Sequence, residues 1–166
     1  MTLPDQCPDG YVADVRAQVG NRLLLLPAVS VHIRDDVGRL LLVHQIDRQQ
    51  WGTVGGAVEP GESPADAAVR EAREETGLEV ELTGLVAALG GPGFQMTYPN
   101  GDECAYISIV FDARVVGGEL VADGVEVSQC AWFTKDDLET ADISTVSRSV
   151  LLAVGALQPA AATHPE

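Results

Sequence analysis

Apolar residues recur along the chain with two periods, and the switches between them mark the elements. Tyr11, Val12, Val15 and Val19 fall at helical spacing and stop at Gly20, which predicts a short helix over 11–19. Leu23 to Arg34 is apolar and β-branched, Asp35-Asp36-Val37-Gly38 carries turn chemistry, and Arg39 to Ile46 returns to strand character, together a hairpin. Asp47 to Gly61 holds Gly52, Gly55, Gly56, Pro60 and Gly61 and reads as loop. Helical spacing resumes over Ser63 to Thr76, with Ser63 at the N-cap, Pro64 at the first helical position, Asp66 three residues after the cap and Gly77 as the stop. Strand patterns follow over Glu79–Ala88, Ala105–Val115 and Val127–Phe133, and helical ones over Thr134–Glu139 and Ser144–Leu157. Strands and helices in this mixed order predict the α/β class, a mixed sheet with helices on its faces.

The helix over 63–76 carries an anomaly. At about 100° per residue, Ala65, Ala68, Val69, Ala72 and Thr76 gather into a core-facing stripe. Glu71, Glu74 and Glu75 gather on another side, because residues three and four apart are neighbours on a helix surface. Like charges at those offsets cost roughly 0.2–0.5 kcal/mol per pair, and they stand near the C-terminus, where the helix dipole disfavours negative charge. A hard divalent cation reverses that balance, since Mg²⁺ takes oxygen ligands. A solvated acidic face paired with Arg70 and Arg73 is the competing reading of the three glutamates taken alone.

Composition narrows the partners. A chain of 166 residues, 46% of them hydrophobic, is sized for one domain with a proper core. The expected division is an N-terminal segment with the short helix (1–20), one domain (21–158) and a frayed Pro/Ala-rich tail (159–166). The formal net charge of −15 repels polyanions and argues against a sequence-independent nucleic-acid binder. A small phosphorylated ligand would need a cation to bridge it to carboxylates. Cys7, Cys104 and Cys130 show neither zinc-site spacing nor a disulfide framework, which favours a reducing compartment and small buried thiols. No leader pattern opens the chain, and the longest apolar run, Leu23 to Val31, is too short to span a bilayer; a soluble, cytoplasmic protein without a membrane partner is expected.

The glutamates do not stand alone. From Gly56 the chain reads GAVEPGESPADAAVREAREETGL, with five residues between Gly56 and Glu62 and seven between Glu62 and Arg70. This resembles the Nudix box, G-x5-E-x7-R-E-U-x-E-E-x-G-U with U apolar, and every fixed position matches. Chance occurrence of seven fixed residues in a chain this long is on the order of 10⁻⁷. The similarity to small bacterial MutT-like Nudix hydrolases extends over roughly Tyr11 to Glu139. It implies an α/β/α sandwich in which the box forms a loop–helix–loop. It also implies a Mg²⁺-dependent hydrolase, with Mn²⁺ as a substitute, acting on a phosphoanhydride bond of a nucleoside diphosphate derivative, of the ADP-ribose, nucleotide-sugar or (d)NTP type. On this resemblance Glu71, Glu74 and Glu75 hold the metal with the carbonyl of Gly56. Glu74 or Glu75 stands nearest the attacking water, with Glu126 as rival general base. Gly55, Gly61, Glu62 and Arg70 support the site, the glycines through turns and Arg70 and Glu62 through charged hydrogen bonds. A homodimer is a further expectation from the family.

Arg48, Trp51, Phe94 and Tyr98 are the candidates for substrate contact, Trp51 beside the glycine loop and Phe94 and Tyr98 in the segment Gly90 to Gly101. His32 and His44 read as hydrogen-bonded structural residues, His164 falls in the tail, and Trp132 reads as core. Two departures stand out: Thr53-Val54 where relatives commonly have Leu-Pro, and Gln45 where they often carry Arg at the end of the second strand. Without that Arg, phosphate contacts fall to Arg48 or another group. A competing function is a Nudix domain that senses a nucleotide ligand without turnover, but such domains typically lose box glutamates, and this chain keeps them all.

Overall fold

The computed structural model describes residues 10–159; Cys7, His164 and the tail beyond 159 lie outside them. The elements are α1 (Tyr11–Val19), β1 (Leu24–Arg34), β2 (Leu40–Gln45), β3 (Gln50–Thr53), α2 (Pro64–Thr76), β4 (Leu78–Leu89), β5 (Gln95–Thr97), β6 (Glu103–Gly118), β7 (Val127–Phe133), α3 (Lys135–Thr140) and α4 (Thr145–Ala153). Seven strands form one mixed sheet in the order β3-β2-β1-β6-β4, with β5 added to β6 and β7 to β2. β1 runs parallel to β6 and the other pairings are antiparallel.

Helices cover both faces. On one, Ala67, Ala68 and Ala72 of α2 pack on Val29, Val31, Ile33, Leu41 and Val43. On the other, Leu40 and Leu42 meet Leu138 of α3 and Leu151 of α4, while Val150 of α4 packs on Phe94 and Val110. β1 is buried on both faces over most of its length, as a central strand covered on both sides should be. The α/β/α arrangement is therefore present. No helix among the described residues is long and apolar enough to cross a membrane.

One irregularity in the sheet makes the site. β1 and β2 share the register pair Arg34↔Leu40, and then the segment after β3 wedges between them. Val54 bridges Val31, Ala57 bridges Ala28, and the N–H groups of Val29 and Val31 donate to the carbonyls of Gly56 and Val54, both at 2.8 Å. The box loop thus takes over hydrogen bonds that β2 would otherwise make.

Three expectations require correction. β3 lies where loop was expected, because its backbone pairs with β2 despite the polar residues and Gly52. The inward arc of α2 is rotated: Ala65 and Val69 are exposed, whereas Ala67, Ala68, Glu71, Ala72, Glu75 and Thr76 are buried. α4 is shorter than the helix expected over 144–157, and Leu157 folds back into the core beside Leu151.

Candidate active site

α2 begins as its sequence requires. The Ser63 hydroxyl accepts from the Asp66 N–H at 3.1 Å, Pro64 occupies the first turn, and Gly77 closes the helix in the left-handed region at φ 71°. What the helix then presents inward is charged. Glu71 is 9% exposed and Glu75 4%, so both carboxylates are taken out of water.

Burial is the first cause of raised pKa values at both. Desolvation pushes the Glu71 carboxyl up to about 7 against the pull of Arg70, with Glu74 and Glu126 adding repulsion. Glu75 is raised well above the ordinary carboxylate range by burial and then by Glu71; the Gly55 N–H, donating to Oε2 at 2.9 Å, pulls the other way. The Gly56 Cα lies against the Glu71 carboxyl, close enough that a β-carbon there would overlap it.

Arg70 ties helix to loop. Its Nε and Nη2 grip both oxygens of Glu62 at 2.7 and 3.0 Å, and Nη2 also donates to the carbonyl of Ala57 at 3.1 Å. Glu62 accepts the Glu59 N–H as well, and the Arg70 contact holds its carboxyl below the usual range. One nitrogen, Nη1, is shared by Glu71 at 2.7 Å and Glu74 at 3.0 Å. Glu74 differs from its two neighbours because its carboxylate is 59% exposed.

Gly55 and Gly61 both have positive φ, 145° and 86°. Their surroundings separate them: a β-carbon on Gly55 would run into the Val29 carbonyl group, whereas one on Gly61 would meet nothing within 4 Å. Gly55→Ala is therefore expected to cost about 3 kcal/mol or more, a fall in Tm of roughly 6 °C or more, and Gly61→Ala only about 1 kcal/mol of backbone strain. Thermal unfolding of the two variants side by side checks the contrast; equal losses would contradict it.

A cavity of about 220 Å³ opens beside these residues. Gly55, Gly56, Glu75 and Glu126 line one part of it, and Arg48, Met96, Tyr98 and Tyr106 line another. Serines from β1, β6, α4 and its N-cap (Ser30, Ser108, Ser147 and Ser144) complete the wall with Gln45. Glu126 is delivered by a turn in which the Asp123 carboxylate accepts the N–H groups of Val125, Glu126 and Val127 at 2.8–3.1 Å. Asp123 escapes sequence reasoning, although Asp-Gly followed by a strand is a turn signal. Arg48 lies over the Tyr98 ring at 5.4 Å and beside Asp47, and the Tyr98 and Tyr106 hydroxyls share a 2.6 Å hydrogen bond.

Not every candidate reaches the cavity. Trp51 stacks edge-on against His44 and Phe133 and belongs to the core under α3 and α4, and Phe94 is 6% exposed among Val110 and Val150. Neither lines the cavity: their apolar rings gained more from packing than from bordering a cleft. Glu71 and Glu74, both held by Arg70, are also absent from the lining, Glu71 buried behind Gly56 and Glu74 exposed on the outer side. Of the histidines, the Nδ1 of His44 hydrogen-bonds the Ser128 hydroxyl, and Trp132 packs partly buried against the core. His32 departs from expectation: it is 1% exposed, its Nε2 has no partner, and burial pushes its pKa down to about 4.

The cavity wall holds three carboxylates, Asp47, Glu75 and Glu126, against one guanidinium, Arg48. Glu71, Glu75 and Glu126 repel one another through a desolvated region and offer only hard oxygen donors, which fits a divalent cation of the Mg²⁺ kind. Among the described residues, no three His, Cys, Asp or Glu side chains already converge as a closed cage. The fit is one of donor chemistry and charge.

Comparison with known proteins agrees with this geometry. The NUDIX domain model matches residues 24–154. A Bacillus subtilis protein provisionally named an 8-oxo-dGTP diphosphatase is 35% identical over 102 residues, 61% of this chain and 62% of that one. The NAD-capped RNA hydrolase NudC of Stutzerimonas stutzeri is 33% identical over 137 residues, 75% of this chain and 46% of its own. The chain thus spans about half to two thirds of the length of these two curated relatives. The crystal structure of an ADP-ribose pyrophosphatase from Streptococcus suis superposes with a TM-score of 0.61 at 25% identity, covering 85% of this chain and 96% of that one. With a complete box, the fold and a model match across most of its length, the chain belongs to the Nudix hydrolase family.

Proposed function

We propose that this protein hydrolyses a phosphoanhydride bond in a small nucleoside diphosphate derivative, using Mg²⁺, or Mn²⁺ in its place, in the cytoplasm. The observation that carries the reading is the pair of buried carboxylates, Glu71 and Glu75, beside a cavity whose wall is itself acidic. Buried like charges are costly for a structure that has no use for them. An acidic wall cannot hold a diphosphate directly, and a bound divalent cation would neutralise the anion, polarise phosphorus and lower the pKa of a water.

Glu71 and Glu75, with the Gly56 carbonyl, are the residues that would hold the cation, and Glu74 would join them only from the outer side. Glu126, which lines the cavity, would accept a proton from the attacking water at its carboxylate. Arg70 positions Glu71, and Glu62 positions Arg70. Among the described residues Arg48 is the one guanidinium in the cavity wall, and so the candidate for direct phosphate contact. The net charge of −15 opposes binding along a polynucleotide, so the capped-RNA activity named for one relative is not carried over.

The test is product analysis over ADP-ribose, sugar nucleotides, dinucleoside polyphosphates and (d)NTPs with Mg²⁺ in excess over substrate. Turnover on the order of 1–10 s⁻¹ on at least one class, abolished by chelator, is expected. Binding of a nucleotide with no turnover on any class would favour the sensor reading.

A further inference from the structure

The cavity has a second character away from its carboxylates. Ser30 is 3% exposed and lines the cavity, and its Oγ has no hydrogen-bond partner among the described residues. Gln45 lines the same cavity, and its side-chain Oε1 is also buried without a partner. Buried polar atoms left unpaired by the fold are rare, and two of them on one cavity wall are what a ligand's own donors and acceptors would satisfy.

Both side chains are aimed there by identifiable backbone features. The register of β2 against β7 shifts between His44 and Gln45, a bulge of the kind that turns a side chain away from its alternating place. Gly52 leaves room for the Gln45 amide: a β-carbon there would stand 3.0 Å from Gln45 Oε1 and 3.2 Å from Ser147 Oγ. Ser30 sits on β1 where the strand bonds to the box loop, between Val29 and Val31, whose N–H groups are taken by Gly56 and Val54. Leu26, Ala28 and Ser30, at alternate positions of β1, all line the cavity, so the Ser30 side chain belongs to the strand face that forms its wall.

The chemistry of the surroundings selects the ligand group. Ser30 and Gln45 are uncharged, so they offer hydrogen bonds without neutralising a second phosphate. Leu26, Met96, Val146 and Val150 give the same cavity apolar walls, and Tyr98 and Tyr106 give it aromatic ones. A flat group with an uncharged hydrogen-bonding edge matches apolar sides and polar ends together; a sugar, polar on every side, does not.

Resting on the hydrolase reading above, we propose that Ser30 and Gln45 are specificity-determining residues that hydrogen-bond the edge of the substrate's nucleobase.

Binding of the product halves reads this without turnover. AMP, GMP, CMP and UMP, with ribose 5-phosphate as the base-less control, would be titrated calorimetrically into the full chain with Mg²⁺. At least one nucleotide is expected to bind about tenfold or more tighter than ribose 5-phosphate, and that ratio is expected to narrow about three- to tenfold in Ser30→Ala and in Gln45→Ala. The proposal is overturned if no nucleotide outbinds ribose 5-phosphate, or if the ratio is unchanged in both variants. It is equally overturned if Ser30→Ala weakens ribose 5-phosphate as much as the nucleotides, which would mark a sugar site. Absence of Mg²⁺-dependent hydrolysis in wild type with base preference intact would instead remove the hydrolase reading and leave Ser30 and Gln45 as base contacts for a bound nucleotide.

Discussion

Glu75→Gln is expected to lower Mg²⁺-dependent turnover by about a thousandfold while raising the Tm of the metal-free protein at pH 8 by roughly 5 °C. The two effects share a cause. The amide has nearly the shape of the carboxyl and keeps an oxygen for the Gly55 N–H, which now donates at 2.9 Å. What it removes is a charge buried at 4% exposure and repelled by Glu71 and Glu126. Removing that charge relieves the fold and takes away a carboxylate the cation needs. A residue that only held the fold together would lose stability and activity in step, so a fall in Tm at pH 8 would count against this account.

Glu74→Gln provides the internal contrast. Its carboxylate is largely exposed and rests on Arg70, so a loss of about tenfold and little change in Tm are expected. If both variants kept wild-type rates, the assignment of the metal site to these glutamates would fall. Assays over a range of concentrations of one substrate, with kcat and KM separated, beside scanning calorimetry of each variant without metal, decide it.

The contrast also shows how far the sequence carries. The box was legible because chemistry fixes its residue types at fixed spacing, and the caps of α2 because Ser63, Pro64 and Gly77 each answer a local backbone need. Apolarity alone does not define the inward face of α2: Val69 is exposed while Glu75 is buried, because the buried arc runs from the apolar sheet face under Ala68 and Ala72 to the box loop, where the Gly55 N–H meets Glu75. β5, three residues with no strand pattern of their own, exists through pairing with β6. Trp51 and Phe94 suggested substrate contact because aromatic rings beside glycines do so in general, but only packing shows which rings are already used. Ser30 gave no sign at all: a serine within an apolar strand becomes informative once its hydroxyl is seen to lack a partner. Gln45 was visible only as the loss of an Arg.

Without metal, the protein is expected to unfold at a lower temperature at pH 8 than at pH 6.5, and Mg²⁺ is expected to reverse that fall. The Glu71 carboxyl is raised from 4.5 to about 7 in the fold, so the folded form holds its proton more tightly than the unfolded chain. Its stabilising effect is complete below pH 4.5 and is lost as pH rises through about 7, a loss on the order of 3 kcal/mol. Glu75, raised by burial, acts in the same direction. His32 acts in the opposite one: with its pKa depressed from 6.5 to about 4, it adds stability as pH rises between those values and nothing above them. The opposing trends nearly cancel between pH 4.5 and 6.5, where most of the Glu71 loss falls, so the drop above pH 6.5 comes from the remainder of that loss and from Glu75. Glu71→Gln removes only the falling part, so its Tm advantage over wild type should widen from pH 5 to pH 8. At about a hundredfold excess over its Kd, Mg²⁺ adds roughly 2.7 kcal/mol at pH 8 and far less at pH 5, where protons occupy the carboxylates. A Mg²⁺-induced shift in Tm that is equal at the two pH values, or that survives in the Glu71→Gln, Glu75→Gln double variant, would mean that the cation binds elsewhere.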